Sequence, residues 1–201
     1  RRMIVTATAA GPAFEGHGDL IGTDRIALTA DLLRRGLLDE TGLLAEPYFD
    51  EGVPVGTERE KETADRQDTE NRGRWKKENR CYFKQEDVRA LQMAKAAVRA
   101  GVEILWEEMG CDEVDCIYLA GGFGYYLDVE AAFAIGLLPL GMRGRVQAVG
   151  NTSLAGAYEL GRGLSAGRIK EGMLEKNIAA IESINLARKE NFEKLYLKFI
   201  N

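Results

Sequence analysis

The feature that most constrains this chain is a short apolar run that ends abruptly in glycine: Cys116, Ile117, Tyr118 and Leu119, then Ala120-Gly121-Gly122-Phe123-Gly124-Tyr125-Tyr126. Such apolar and aromatic residues suit a buried strand. The glycines that follow lack the β-carbons that hold another molecule at a distance. The same grammar then recurs. Asp128 is a good N-cap for a helix carried by Ala131, Ala132, Phe133, Ala134 and Ile135 to Gly136, and Leu138-Pro139-Leu140-Gly141 resets the direction. Arg145-Val146-Gln147-Ala148-Val149 reads as a second strand, Gly150-Asn151-Thr152-Ser153 as a second turn and Leu154-Ala155-Gly156-Ala157-Tyr158-Glu159-Leu160 as a second helix. Strand, glycine turn and helix twice in succession predict a parallel α/β layer.

Both turns would leave the C-terminal ends of their strands, where helix N-termini present unpaired N–H groups and a field favourable to anions. Asn151, Thr152 and Ser153 add side-chain donors at the second turn. A phosphate-bearing ligand is the natural guest. Glycine turns also serve simply to pack helix against strand, and on the residues alone both readings stand.

Upstream, Met3 to Thr8 reads as a strand, and Ala9-Ala10-Gly11-Pro12-Ala13-Phe14-Glu15-Gly16-His17-Gly18 as a loop of small residues. Gly11 and Gly16 permit close backbone approach, Pro12 stiffens the turn, and Glu15 is the ionisable group placed to meet a ligand or cation. A tight turn with a solvated carboxylate is the plainer alternative. His17, the only histidine, has no partner at metal-ligand spacing and is read as surface. Thr23-Asp24 can cap an amphipathic helix that stops at Gly36. Residues 43–55 are too interrupted by proline and glycine for a long element.

Residues 58–80 are almost entirely polar with acids and bases alternating, and Trp75 is their only large apolar anchor. A solvated, mobile insertion follows, with electrostatic docking as the sharper alternative. Helical period returns at Lys84, with Val88, Leu91, Ala94, Lys95, Val98, Val102, Leu105 and Trp106 on one predicted stripe and an end near Met109-Gly110. Ala94, Ala96, Ala97 and Ala100 thin its flank for close approach. Further on, residues 169–181 predict a helix, 183–186 a short strand and 191–200 a terminal helix with Phe192, Leu195, Tyr196 and Phe199 on one side.

With 201 residues, 45% hydrophobic, the chain can bury a real core, and a net charge of −5 argues against a general nucleic-acid role. Three cysteines cannot close a disulfide set, and no apolar run is long enough for a membrane span or signal peptide, so a reducing, cytoplasmic setting is expected. Cys111 and Cys116 stand five apart, yet position 119 is Leu119 and no fourth thiolate exists, so no metal or cluster site is expected in this chain. Cys116 is read as a small apolar residue at a strand start. The opening Arg1-Arg2, running straight into a strand, reads as a fragment of a longer protein.

Several spaced motifs carry a family resemblance. Ile117-Tyr118-Leu119-Ala120-Gly121-Gly122-Phe123-Gly124-Tyr125-Tyr126-Leu127-Asp128, then Ile135-Gly136-Leu137-Leu138-Pro139, then Val149-Gly150-Asn151-Thr152-Ser153-Leu154-Ala155-Gly156-Ala157 resemble the C-terminal domain of the reductive activators of corrinoid proteins. The loop Ala10-Gly11-Pro12-Ala13-Phe14-Glu15-Gly16 and the helical Gln92-Met93-Ala94-Lys95-Ala96-Ala97-Val98-Arg99-Ala100-Gly101 match the same family. The likeness covers most of the chain outside the charged segment.

The resemblance implies an α/β fold of the acetate and sugar kinase, heat-shock chaperone and actin (ASKHA) superfamily. Each half is RNase H-like, a mixed sheet with flanking helices, and ATP with Mg binds in the cleft between halves. Residues 1–201 would be one actin-like half, with 58–80 an insertion in it. Gly121, Gly122, Phe123 and Gly124 would correspond to the adenosine motif, with Gly150, Asn151, Thr152 and Ser153 completing the nucleotide wall. Gly11, Pro12, Glu15 and Gly16 would form a phosphate or partner loop, with Glu15 the candidate for positioning water or magnesium.

The implied activity is ATP-dependent return of Co(II) to Co(I) in a corrinoid methyl-transfer protein. The electron comes from a 2Fe-2S cluster that would sit in a domain absent from this chain. The implied partner is a corrinoid iron-sulfur protein or a corrinoid methyltransferase component, with a homodimer as a further assembly and no nucleic acid or membrane. Two departures stand out: the ferredoxin-like domain and the first phosphate hairpin are missing, and the passage from Gly18 to Thr23 is shorter than the family pattern. The alternatives are a kinase or another ASKHA-type enzyme activator, and a non-catalytic docking or dimerising domain using the alanine-rich face of residues 92–100 or the terminal aromatic stripe.

Overall fold

The computed structural model describes residues 21–55, 81–110, 113–169 and 171–201. The expected strand at Met3, the loop bearing Gly11, Pro12, Glu15, Gly16 and His17, the charged insertion of residues 58–80 and Cys111 lie outside the described residues.

Helix α1 (Gly22–Arg34) begins one residue before the expected cap. Thr23 is buried inside its first turn, and Asp24 reaches back to accept a hydrogen bond from the Ile21 N–H at 3.3 Å. A short helix α2 (Tyr48–Glu51) leads to strand β1 (Val53–Val55), which pairs antiparallel with β2 (Cys81–Phe83). Helix α3 (Gln85–Met109) follows as the longest element. Its start is set by Asp87, whose carboxylate accepts from the Lys84 N–H at 2.9 Å, and its stop by Gly110 at φ 57°. That left-handed conformation is cheap only for glycine.

Strand β3 (Ile117–Ala120) turns at once into α4 (Gly121–Tyr126), then α5 (Val129–Ala134) and a 3₁₀ turn (Leu140–Met142) return the chain to β4 (Val146–Gly150). β3 and β4 are parallel, with Ile117 opposite Val146 and Ala120 opposite Gly150. Helices α6 (Thr152–Ser165), α7 (Glu171–Ala179) and α8 (Phe192–Lys198) complete the chain. The α/β class and the parallel layer are as expected; among the described residues the strands form two separate pairs. Residues 183–186 are not a strand. Asn185 caps a 3₁₀ turn (Leu186–Arg188) by accepting from the Ala187 N–H at 3.1 Å, a local bond that competes with a ladder.

Two apolar clusters share α1. Ile26 and Ala30 join Val102 of α3 and a group drawn from the β3–β4 crossover: Leu127, Ala131, Ala132, Phe133, Ile135, Leu137, Leu138 and Met142. Leu32 joins Leu38, Leu44, Phe83 and Val88 in the second. Phe83 is completely buried, worth about 2–3 kcal/mol by transfer alone. α3 is buried on more than its predicted stripe. Gln92, Ala96, Ala100 and Ile104 are interior, Ala96 and Ala100 completely so, whereas Ala94 is exposed. Ala96 and Ala100 are therefore interior packing, while Met93 and Ala94 stay exposed on the same helix.

Part of the reason lies far along the chain. α8 packs on α3, with the Arg99 guanidinium 4.5 Å from the centre of the Phe199 ring and Lys95 Nζ donating to the carbonyls of Ile135 at 2.9 Å and Asn201 at 2.8 Å. Burial, and secondarily the Arg99 charge, pulls the Lys95 ammonium below its usual pKa. The terminal aromatic stripe is thus half-buried packing against α3, as its amphipathic spacing predicts.

Candidate functional site

Strand β3 reaches the core with one face only. Ile117 and Leu119 pack onto the first cluster, while Tyr118 and Ala120 point the other way, Tyr118 being 48% exposed. The buried strand expected from sequence is thus a half-open one, because alternate side chains of a strand face opposite sides and the described core lies on one side. Cys116, a free half-buried thiol, precedes it.

The three glycines after β3 do three different things. Gly121, at φ +84°, makes the corner. Gly124 is buried, and a β-carbon there would lie 3.0 Å from the Leu119 carbonyl carbon and Cβ, so its role is to let α4 lie on β3. Gly122 is exposed, and a β-carbon on it would meet nothing within 4 Å among the described residues. The segment is also helical where a turn was expected. Phe123, 52% exposed, rests its ring edge against Gly22 at the start of α1.

The parallel register brings the second turn alongside. Gly150, opposite Ala120, has φ +69°, and a β-carbon there would lie 3.8 Å from Cδ2 of Tyr125. Tyr125 and Tyr126 are both largely exposed and meet edge to face at 5.1 Å. Asn151 caps α6, its Oδ1 accepting from the Leu154 N–H at 3.1 Å, so that oxygen is engaged within the helix. Thr152 and Ser153 are exposed in the first turn of α6, where N–H groups have no intrahelical acceptor.

Gly121, Gly122, Phe123 and Gly124 are thereby gathered at one edge with Gly150, Asn151, Thr152 and Ser153. The second expected group, Gly11, Pro12, Glu15 and Gly16, lies outside the described residues. The tyrosines were not singled out in the sequence reading, although Tyr125 directly follows the last glycine. Leu154 and Tyr158, both more than 60% exposed and four apart on α6, extend the open apolar surface next to the turns. Among the described residues no group of three His, Cys, Asp or Glu is placed to hold a metal ion, and no helix is long and apolar enough to cross a membrane.

A parallel strand pair whose two glycine turns share one edge, each leading into a helix, is an α/β layer. The chain belongs to the family described as the C-terminal domain of RACo, the ASKHA domain, whose model matches residues 18–200. A curated relative, the corrinoid activation enzyme RamQ of Eubacterium limosum, is 30% identical over 197 residues, an alignment covering 78% of this chain and 32% of the relative. The solved structure of a reductive activator for a corrinoid, iron-sulfur protein superposes with a TM-score of 0.64 at 24% identity, covering 87% of this chain and 27% of that one, which is a likeness of fold. The chain thus spans about a third of the length of the curated relative it matches.

Proposed function

We propose that this chain is the nucleotide-facing C-terminal part of an ATP-dependent reductive activator that returns Co(II) to Co(I) in a corrinoid methyl-transfer protein. The observation that carries the reading is the β3–β4 register, which sets Gly121-Gly122 beside Gly150 at the strands' C-terminal edge. In that arrangement the open backbone at Gly122 is the approach for adenosine, and the free N–H groups and hydroxyls of Thr152 and Ser153 are donors for phosphate. The exposed rings of Phe123 and Tyr125 flank the approach with apolar surface. This chain supplies one wall; the opposing wall, the 2Fe-2S cluster that delivers the electron, and the corrinoid iron-sulfur or methyltransferase partner belong to the remainder of the protein and its target. Hydrolysis of Mg-bound ATP would act by changing the contact between activator and target.

The test uses full-length protein. Because Gly122 has helical backbone and open space around its missing side chain, Gly122→Val separates binding from folding. The variant is expected to keep its Tm and to lose at least tenfold in Mg-ATP affinity by calorimetry, about 1.4 kcal/mol. Full-length protein that binds no ATP, or a Gly122→Val variant that binds as the parent does, rejects the nucleotide wall.

A further inference from the structure

On α4, Tyr125 and Tyr126 follow Gly122 by three and four residues, the spacing that puts side chains on one helical face. Helical side chains also lean toward the N-terminal end, over the residues one turn earlier. Both tyrosines therefore lean toward Gly122, yet neither closes the space there: no ring atom lies within 4 Å of where its β-carbon would be. The floor is bare backbone and the wall is aromatic.

The rings are held without being covered. Tyr125 passes beside Gly150, and Tyr126 meets it at 89° between ring planes, an arrangement that hides at most one face of one ring. Tyr125 is 58% exposed and Tyr126 71%. Phe123 differs, since its ring lies against Gly22 and serves to pack α4 on α1. α4 carries no amide, carboxylate or basic side chain that could read the edge of a base, so what its side chains offer a ligand is the face of a ring.

We infer that Tyr125 and Tyr126 are the specificity wall of the nucleotide site, holding a purine by stacking as it lies over Gly122. The inference rests on the nucleotide reading above and adds how the base is chosen: stacking needs only a π-face and favours the larger purine surface over a pyrimidine.

Full-length protein is titrated with Mg-ATP and with Mg-UTP, which share ribose and triphosphate and differ only in the base. The parent should prefer ATP. Replacing both rings together, Tyr125→Leu with Tyr126→Leu, should lower ATP affinity about tenfold or more in calorimetry and UTP affinity less, so that the preference shrinks. The Tm should not change, because both rings are exposed. Tyr125→Phe with Tyr126→Phe keeps the rings and should bind as the parent does. A double leucine variant that keeps the parent's ATP affinity, or loses ATP and UTP equally, overturns the tyrosine wall and leaves the nucleotide site standing. Full-length protein that binds neither nucleotide rejects the site itself.

Discussion

At the scale of single residues, the sharpest electrostatic feature is the turn closed by Asp39. Its carboxylate accepts from the Leu43 N–H at 2.8 Å, the Thr41 hydroxyl at 2.7 Å and the Thr41 N–H at 2.9 Å. These bonds favour the charged form, the Leu43 bond most, and lower the pKa despite some desolvation. The sign follows from linkage. A carboxyl whose pKa is lower folded than unfolded contributes stability above its unfolded pKa, and that contribution is lost as pH falls through the folded value. Asp39→Asn should therefore unfold at lower urea than the parent near pH 6, and the two midpoints should converge as the pH falls below the ordinary carboxylate range. A gap that persists undiminished in acid would sink this account. Asp39 was legible as part of a turn, since Asp-Glu-Thr-Gly is turn chemistry. The separate roles of Gly121, Gly122 and Gly124 were not. Nothing in the letters distinguishes a glycine kept small by Leu119 from one that faces open space.

At the scale of elements, local signals were read well and distant ones poorly. The ends of α3 were legible to within a residue because Lys84, Asp87 and Gly110 act on their own neighbours. Its buried face was only half legible, because part of it is covered by α8 and the chain near Leu186, on the order of 90 residues downstream, and sequence period reports one amphipathic stripe at a time. The helical form of α4 was missed for a related reason. Glycine disfavours helix by about 1 kcal/mol each, so packing against β3 and β4 rather than propensity selects it. The covered face of α3 gives a paired prediction. Ala100→Leu forces methylenes into a closed interior and should cost about 1–3 kcal/mol in urea unfolding. Ala94→Leu, the same change on the exposed side, should stay within about 0.5 kcal/mol. Equal midpoints for the two would mean that the interior around Ala100 is open after all.

For the molecule as a whole, the parallel layer and the adjacency of its two turns were legible, because strand, glycine and helix recur in order. What the order could not tell is how the layer is held. The crossover from Leu127 to Met142 that joins the turns is also where the first core cluster draws most of its side chains. Its amides are tied inward, Ala132 N–H to Asp128 at 2.9 Å and Leu137 N–H to Ala132 at 2.9 Å. These should exchange with deuterium only as the whole domain unfolds, whereas amides in the open-faced α6 should exchange earlier as urea is raised. Simultaneous exchange of both segments at low urea would argue against this ranking. A connection of this kind has no slack. On the proposed nucleotide reading, the two turns are therefore expected to shift together with the core beneath them rather than one at a time.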